Sequence, residues 1–288
     1  MPRSGLLAAP SRMVAISRPV LWINTLGTGA VGMWLAGELW DPGALALLIW
    51  LTLPFNLLIY GVNDIFDQDT DALNPRKGSL EGARIRAAEV RSIWIWVAAT
   101  NLPFLAWFLA ILPWPALAWI GLYAAVFIAY SAPPPRFKAR PYLDSLSNAA
   151  YAFPLVFVPL ALGAAPLWPA AVGLMAWSAA KHTFDAVQDI EEDSAAGITT
   201  TAVRLGARGV VGWSGFWWAL STVCFALVSL PVAIVSGGIA GWLLVSLLRS
   251  PSPATGHRLY RYSIAFPYVA GTVAGVQLTG SLLLGIYR

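Results

Sequence analysis

The residues best equipped for chemistry lie in two acidic runs. One reads Asn63-Asp64-Ile-Phe-Asp67-Gln-Asp69-Thr-Asp71, the other Asp185-Ala-Val-Gln-Asp189-Ile-Glu-Glu-Asp193. If a helix continues through the first, Asp64, Asp67 and Asp71 are three and four residues apart and share one face. Asn63, one turn before Asp67, adds a neutral oxygen. In the second run Asp185, Asp189 and Asp193 are four and four apart, again on one face. Like charges on one helical face repel, the more so at a helix C-terminus. A cation offsets that repulsion. Mg²⁺ suits the site because it takes hard oxygen ligands and often binds through a few carboxylates plus substrate phosphates. Asp69, Glu81, Glu89, Glu191 and Glu192 fall outside these faces and are expected to be solvated.

Phosphate oxygens would also need cationic partners from the chain. Arg76 and Lys77 follow the first run, Lys138 sits in Tyr130-Ser-Ala-Pro-Pro-Pro-Arg136-Phe-Lys138, Lys181 is one turn before Asp185, and Arg204 follows the second run. Arg offers forked donors and Lys a point charge. His182 and His257 have no metal-ligand partner at helical spacing, so a structural role is expected for both.

The elements that must hold these groups are membrane helices. Of 288 residues, 58% are hydrophobic and 11% charged, and mean hydropathy is +0.67; soluble domains carry about 25% charged residues. Apolar runs long enough to span a bilayer are predicted at 18–37, 43–63, 92–112, 114–131, 146–163, 167–186, 209–230, 232–248 and 262–286. Prolines at Pro113, Pro115, Pro166 and Pro231 mark tight turns between neighbours. Of the eighteen Lys and Arg, seventeen fall in the N-terminal segment and in the links after even-numbered spans. The positive-inside rule then places the N-terminus and those links in the cytoplasm. Twelve of the fourteen acids share that side, leaving only Glu38 and Asp41 on the other. Arg84, Arg86, Arg249, Arg258 and Arg261 are assigned to topology alone. The net charge of +4 is explained in this way and is no nucleic-acid footprint. Arg3, Arg12 and Arg18 interrupt the N-terminal stretch, which argues for retention in a cell membrane rather than a cleaved signal. Cys224 is the only cysteine, so no intramolecular disulfide is expected.

Taken together, the two acidic runs placed after spans two and six resemble those of the UbiA-type intramembrane prenyltransferase family, over nearly the whole chain. The resemblance implies a single all-α domain (1–288) of nine transmembrane helices around a central cavity with a cytoplasmic cap. It implies two Mg²⁺ ions held by Asn63, Asp64, Asp67 and Asp71 and by Asp185, Asp189 and Asp193, with Asp64, Asp67, Asp71, Asp189 and Asp193 the catalytic set. Lys77, Tyr130 and Lys138 look like partners of an allylic diphosphate, and Asn24 like the polar residue of the first helix. Asn63 to Gly78, Tyr130 to Lys138, Pro141 to Asn148 and Asp189 to Ala202 resemble the lycopene elongase branch. That branch implies dimethylallyl diphosphate as donor and lycopene as the lipophilic acceptor. Prenyl transfer to an aromatic acceptor in quinone or haem synthesis is the alternative, and a cation-coupled transporter a distant one. The transporter predicts acids near the bilayer midplane, whereas here they cluster at one face.

Overall fold

A computed structural model describes residues 9–68 and 84–285. Within them are thirteen α-helices: α1 (Pro10–Ile16), α2 (Leu26–Ala36), α3 (Pro42–Trp50), α4 (Leu53–Phe66), α5 (Val90–Ile111), α6 (Trp114–Ser131), α7 (Leu143–Leu146), α8 (Pro154–Ala161), α9 (Trp168–Asp185), α10 (Ile190–Ala195), α11 (Thr201–Ala226), α12 (Leu230–Arg249) and α13 (Pro253–Leu283). Short 3₁₀ turns join several of them, and the described residues contain no strand. Proline opens many of the helices, where its missing N–H is harmless. Asp41, Thr200, Ser229 and Ser252 cap four of them, each accepting a backbone N–H three residues on.

The described parts of all nine predicted runs are helical, and the turns at Pro113–Pro115, Pro166 and Pro231 are where expected. Five helices are long and apolar enough to cross a membrane: Pro42–Phe66, Ala87–Ile111, Trp114–Ser131, Thr201–Ala226 and Leu230–Arg249. Three runs read as continuous are broken. The 18–37 run is a 3₁₀ turn, Pro19–Asn24, followed by α2. The 43–63 run parts at Leu51–Thr52 because Pro54 lacks an N–H and its ring excludes the carbonyl four residues back. The 146–163 run is a 3₁₀ turn, Ser147–Ala152, and then α8.

The breaks are stitched by buried amides. Asn56, fully buried, donates to the Leu51 and Thr52 carbonyls at 2.8 Å each and to the Thr25 hydroxyl at 2.8 Å. Thr25 in turn donates to the Leu51 carbonyl. On α5, Asn101 accepts from the Trp50 indole at 2.9 Å and donates to the Pro54 carbonyl at 2.8 Å. Freed backbone groups with no water nearby must find such partners. Glu89, expected to be solvated, is instead buried; it accepts from Arg12 Nε at 3.0 Å and caps its own turn through the Arg86 N–H.

Two aromatic cores result. Trp50, Phe55, Tyr123 and Phe157 tie α3, α4, α6 and α8 together. Phe184, Trp218 and Phe266 tie α9, α11 and α13. Close approaches need glycine: a Cβ on Gly32 would lie 2.9 Å from the Pro154 carbonyl of α8, and one on Gly256 3.0 Å from the Gln188 amide. Between the two halves lies a cavity of about 1040 Å³. Helix α9 runs antiparallel to α11, since Ala180 meets Ser214 and Gly173 meets Phe225.

Candidate functional site

Asp185 and Asp189 line one end of the cavity, and at or beside it three acids are each paired with a cation. Asp64, on the last turn of α4, has a fully buried side chain and accepts from the Arg18 guanidinium at 2.6 Å. That guanidinium lies 4.6 Å from the Tyr60 ring centroid, within cation–π range. Arg18 sits at φ 53°, a left-handed conformation that a non-glycine residue adopts at some cost. Lys138 pairs with Asp67 and Lys181 with Asp185. Arg136 (φ 40°) and Tyr142 (φ 69°), also left-handed, bracket the turn that carries Lys138.

The helical continuity expected of both acidic runs does not hold. Helix α4 stops at Phe66, and Asp67 is its C-cap, with φ −106°. The second run is a helix end, a 3₁₀ turn (Ala186–Asp189) and then α10. Asp185 and Asp189 line the cavity, while Asp193 stands beside Asp189 and accepts from the Thr200 hydroxyl at 3.4 Å. Burial first, and then the Asp189 charge, push the Asp193 carboxyl up to about 7. Among the described residues, no three carboxylate or imidazole groups converge on one point. Asp71, Arg76 and Lys77 lie outside the described residues.

Other expected site residues have distinct places. Asn63 lines the cavity and donates to the Ser131 hydroxyl at 3.1 Å. Asn24 and Lys181 line it as well. Tyr130 does too, its hydroxyl 3.4 Å from His182 Nε2. Arg204 is exposed and stands off the cavity wall. Sequence spacing missed Arg18, which is 46 residues from Asp64. It also took His182 for a structural residue, yet His182 lines the cavity, 4.0 Å from the buried Asp144. Asp144 itself is an anchor for α11, accepting from the Thr201 N–H at 2.9 Å and from the Thr201 hydroxyl.

The donor set fits Mg²⁺ together with a diphosphate. Its ligands are all oxygen. Among the described residues, Asp185 Oδ1 is buried with no hydrogen-bond partner, as is Arg18 Nε; the first asks for a cation and the second for an anion. The Asp193 carboxyl is raised by burial first and by the neighbouring Asp189 charge second, and a cation between the two would offset the second.

Comparison with known proteins is decisive at this point. Residues 25–282 match the model of the UbiA prenyltransferase family. The chain belongs to that family. Among UbiA relatives, a lycopene elongase/hydratase of Halobacterium salinarum is 36% identical over 281 residues, 95% of this chain and 98% of its own length. One from Corynebacterium glutamicum is 34% identical, over 91% and 94% of the two chains. The fold matches that of a UbiA homolog from Archaeoglobus fulgidus bound to DMAPP and Mg²⁺, with a TM-score of 0.64 at 21% identity over 91% of this chain and 99% of that one. A UbiA homolog from Aeropyrum pernix K1 matches with a TM-score of 0.66 at 18% identity, over 89% and 98%. This UbiA protein is thus an all-helical membrane prenyltransferase.

Proposed function

We propose that this UbiA protein transfers a dimethylallyl group from its diphosphate to an end of lycopene. The observation that carries the reading is full-length similarity to elongase/hydratases, together with a cavity that extends far from the acids. Lining residues run along α9 from Ala170 to Asp185, a rise of about 22 Å at 1.5 Å per residue. The wall is mostly apolar away from the acids, as a hydrocarbon acceptor requires. The reading includes nine membrane crossings, a cytoplasmic N-terminus, and an acid-bearing cap on the cytoplasmic side. It also includes two Mg²⁺ sites, one on Asn63, Asp64, Asp67 and Asp71 and one on Asp185, Asp189 and Asp193.

When bound, Mg²⁺ supplies positive charge to the diphosphate oxygens, which makes diphosphate a better leaving group. The chain's own cations add to this. Arg18, Lys138 and Lys181 turn from Asp64, Asp67 and Asp185 toward the phosphate oxygens, where negative charge grows as the allylic C–O bond breaks. The terminal double bond of the acceptor attacks the allylic carbon; one C–C bond forms and inorganic diphosphate leaves. The positive charge moves to the acceptor's tertiary carbon. Water then adds there with loss of a proton, giving a tertiary alcohol, or a neighbouring C–H proton is lost, giving an alkene. Tyr60, Phe127 and Tyr151 line the cavity near Asn63 and offer aromatic faces to the cation while excluding bulk water.

The test is expression in a bacterial host that accumulates lycopene, followed by mass analysis of the pigments. New carotenoids heavier by one or two five-carbon units support the reading. Unchanged lycopene beside folded membrane protein overturns it and redirects the search to aromatic acceptors.

A further inference from the structure

The cavity has a second polar end. Along α13, Gly256 packs on Gln188 beside the acids, and Gln277 lies 21 residues further on, about 32 Å away at 1.5 Å per residue. That distance is close to the thickness of a bilayer's hydrocarbon core, ~30 Å. At this far end Ser229, Ser236, Gln277 and Ser281 line the cavity. Ser229 and Gln277 are half-buried there, so a ligand that fills this end strips them of water and must leave them a partner.

The hydrogen bonds there leave one donor over. The Val232 N–H donates to Ser229 Oγ at 3.3 Å, so Ser229 caps α12 as an acceptor. The Ser229 hydroxyl then gives its own hydrogen to Gln277 Oε1, at 2.7 Å. Gln277 is thereby oriented with its carbonyl toward Ser229 and its NH₂ left over. Among the described residues that NH₂ has no hydrogen-bond partner, and Gln277 lines the cavity. Ser281 is satisfied by the Gln277 backbone carbonyl at 2.9 Å. The far end therefore presents a neutral donor to whatever fills the cavity, and no charge. A hydrocarbon end gains nothing from such a donor, and burying it costs an unmade hydrogen bond. A hydroxyl end accepts from it.

We propose that Gln277, oriented by Ser229, binds the hydroxyl-bearing end of a long neutral polyene. The ligand is the once-prenylated, once-hydrated product of the first round, whose untouched end then lies at the acids for the second. The proposal rests on the elongase/hydratase reading. It makes Gln277 a specificity-determining residue that favours the half-finished product over fresh lycopene, so that both ends are processed.

The experiment uses the full-length protein in a lycopene-accumulating host, with membrane protein quantified by immunoblot. Gln277→Met keeps the side chain's length and removes the donor, and Ser229→Ala removes the group that aims it. The expected result is an unchanged first addition with a rise of roughly threefold to tenfold in the ratio of once- to twice-elongated pigment, the size of one neutral hydrogen bond. Membranes given lycopene and isolated once-elongated alcohol together, with dimethylallyl diphosphate and Mg²⁺, should lose their preference for the alcohol by the same factor. An unchanged ratio in both variants overturns the proposal and leaves the elongase reading standing. An equal fall in both additions also overturns it, because Gln277 would then serve the fold. Wild-type protein that leaves lycopene untouched overturns the elongase reading and the proposal together. If Gln277→Met does not accumulate in the membrane, Ser229→Ala decides alone.

Discussion

At the residue scale, the acids are held by cations, which in the proposed reading give way to metal during the reaction. Lys138 pairs with Asp67 at a helix cap where both side chains are largely buried. For Asp67 to reach Mg²⁺, the lysine has to let go, and its ammonium is then placed for phosphate. Lys138→Met should have two opposite effects. Binding of Mg²⁺ or Mn²⁺ without donor should tighten, because the competing ammonium is gone. Turnover should fall about 10²-fold or more, the usual effect of removing one donor that stabilises a developing anion. Titration calorimetry and a rate assay read the two separately, and a variant that binds metal no more tightly would show that Lys138 does not compete. Asp67→Ala and Asp189→Ala should each abolish turnover while leaving a folded protein, as judged by gel filtration in detergent. Near-normal activity in either would remove the two-metal reading. The chemistry at this scale was legible in the sequence as residue types and local spacing. Lys138 and Lys181 stand close in sequence to a motif or to a neighbouring loop. Arg18 could not be found in that way, because it reaches Asp64 from a left-handed backbone position in another element.

At the element scale, hydropathy located every predicted run in helical structure but was blind to the breaks within runs. An apolar stretch reads the same whether its hydrogen-bond ladder is whole or cut. The cut at Leu51–Thr52 has a local signature, Pro54 followed by Asn56: proline opens the ladder and the amide two residues on closes it. The helical continuity assumed for Asp185, Asp189 and Asp193 failed at the 3₁₀ turn Ala186–Asp189. That turn is packed under Gly256, with Val187 and the Gln188 amide in contact range, and such tertiary packing has no trace in local spacing. Asn56 gives the test. Replacing it with Leu keeps roughly the volume and raises hydropathy, but takes the side-chain donor from the Leu51 and Thr52 carbonyls, which keep only the Thr25 hydroxyl and the residue-56 N–H. Each hydrogen bond so lost costs about 0.5–1.5 kcal/mol. Asn56→Leu should therefore lower the detergent-solubilised melting temperature clearly, and it should do so although it raises hydropathy. A variant as stable as the parent would mean that water or a backbone shift supplies the missing donors.

At the scale of the whole molecule, the cavity between the two helical halves has a polar end and an apolar length, which the proposed reading gives to the diphosphate and to the acceptor. Donor and acceptor binding should then separate by mutation. Helix α13 forms much of the wall, with Gly271 and Gly275 one turn apart and both facing open space: a Cβ on either meets no atom within 4 Å. Gly271→Leu and Gly275→Leu thus place a side chain in the cavity without forcing the backbone, and helix propensity favours the change by up to about 1 kcal/mol. Neither position touches Arg18, Asn63 or Asp189. A non-ionising analogue of dimethylallyl diphosphate should therefore bind with Mg²⁺ as it does to the parent, while prenylation of a long polyene should fall by an order of magnitude or more. Short acceptors that do not reach Gly271 should be spared. If donor binding falls along with long-acceptor turnover, the cavity is not divided in this way, and α13 acts by holding the Gln188 turn and the acids beside it.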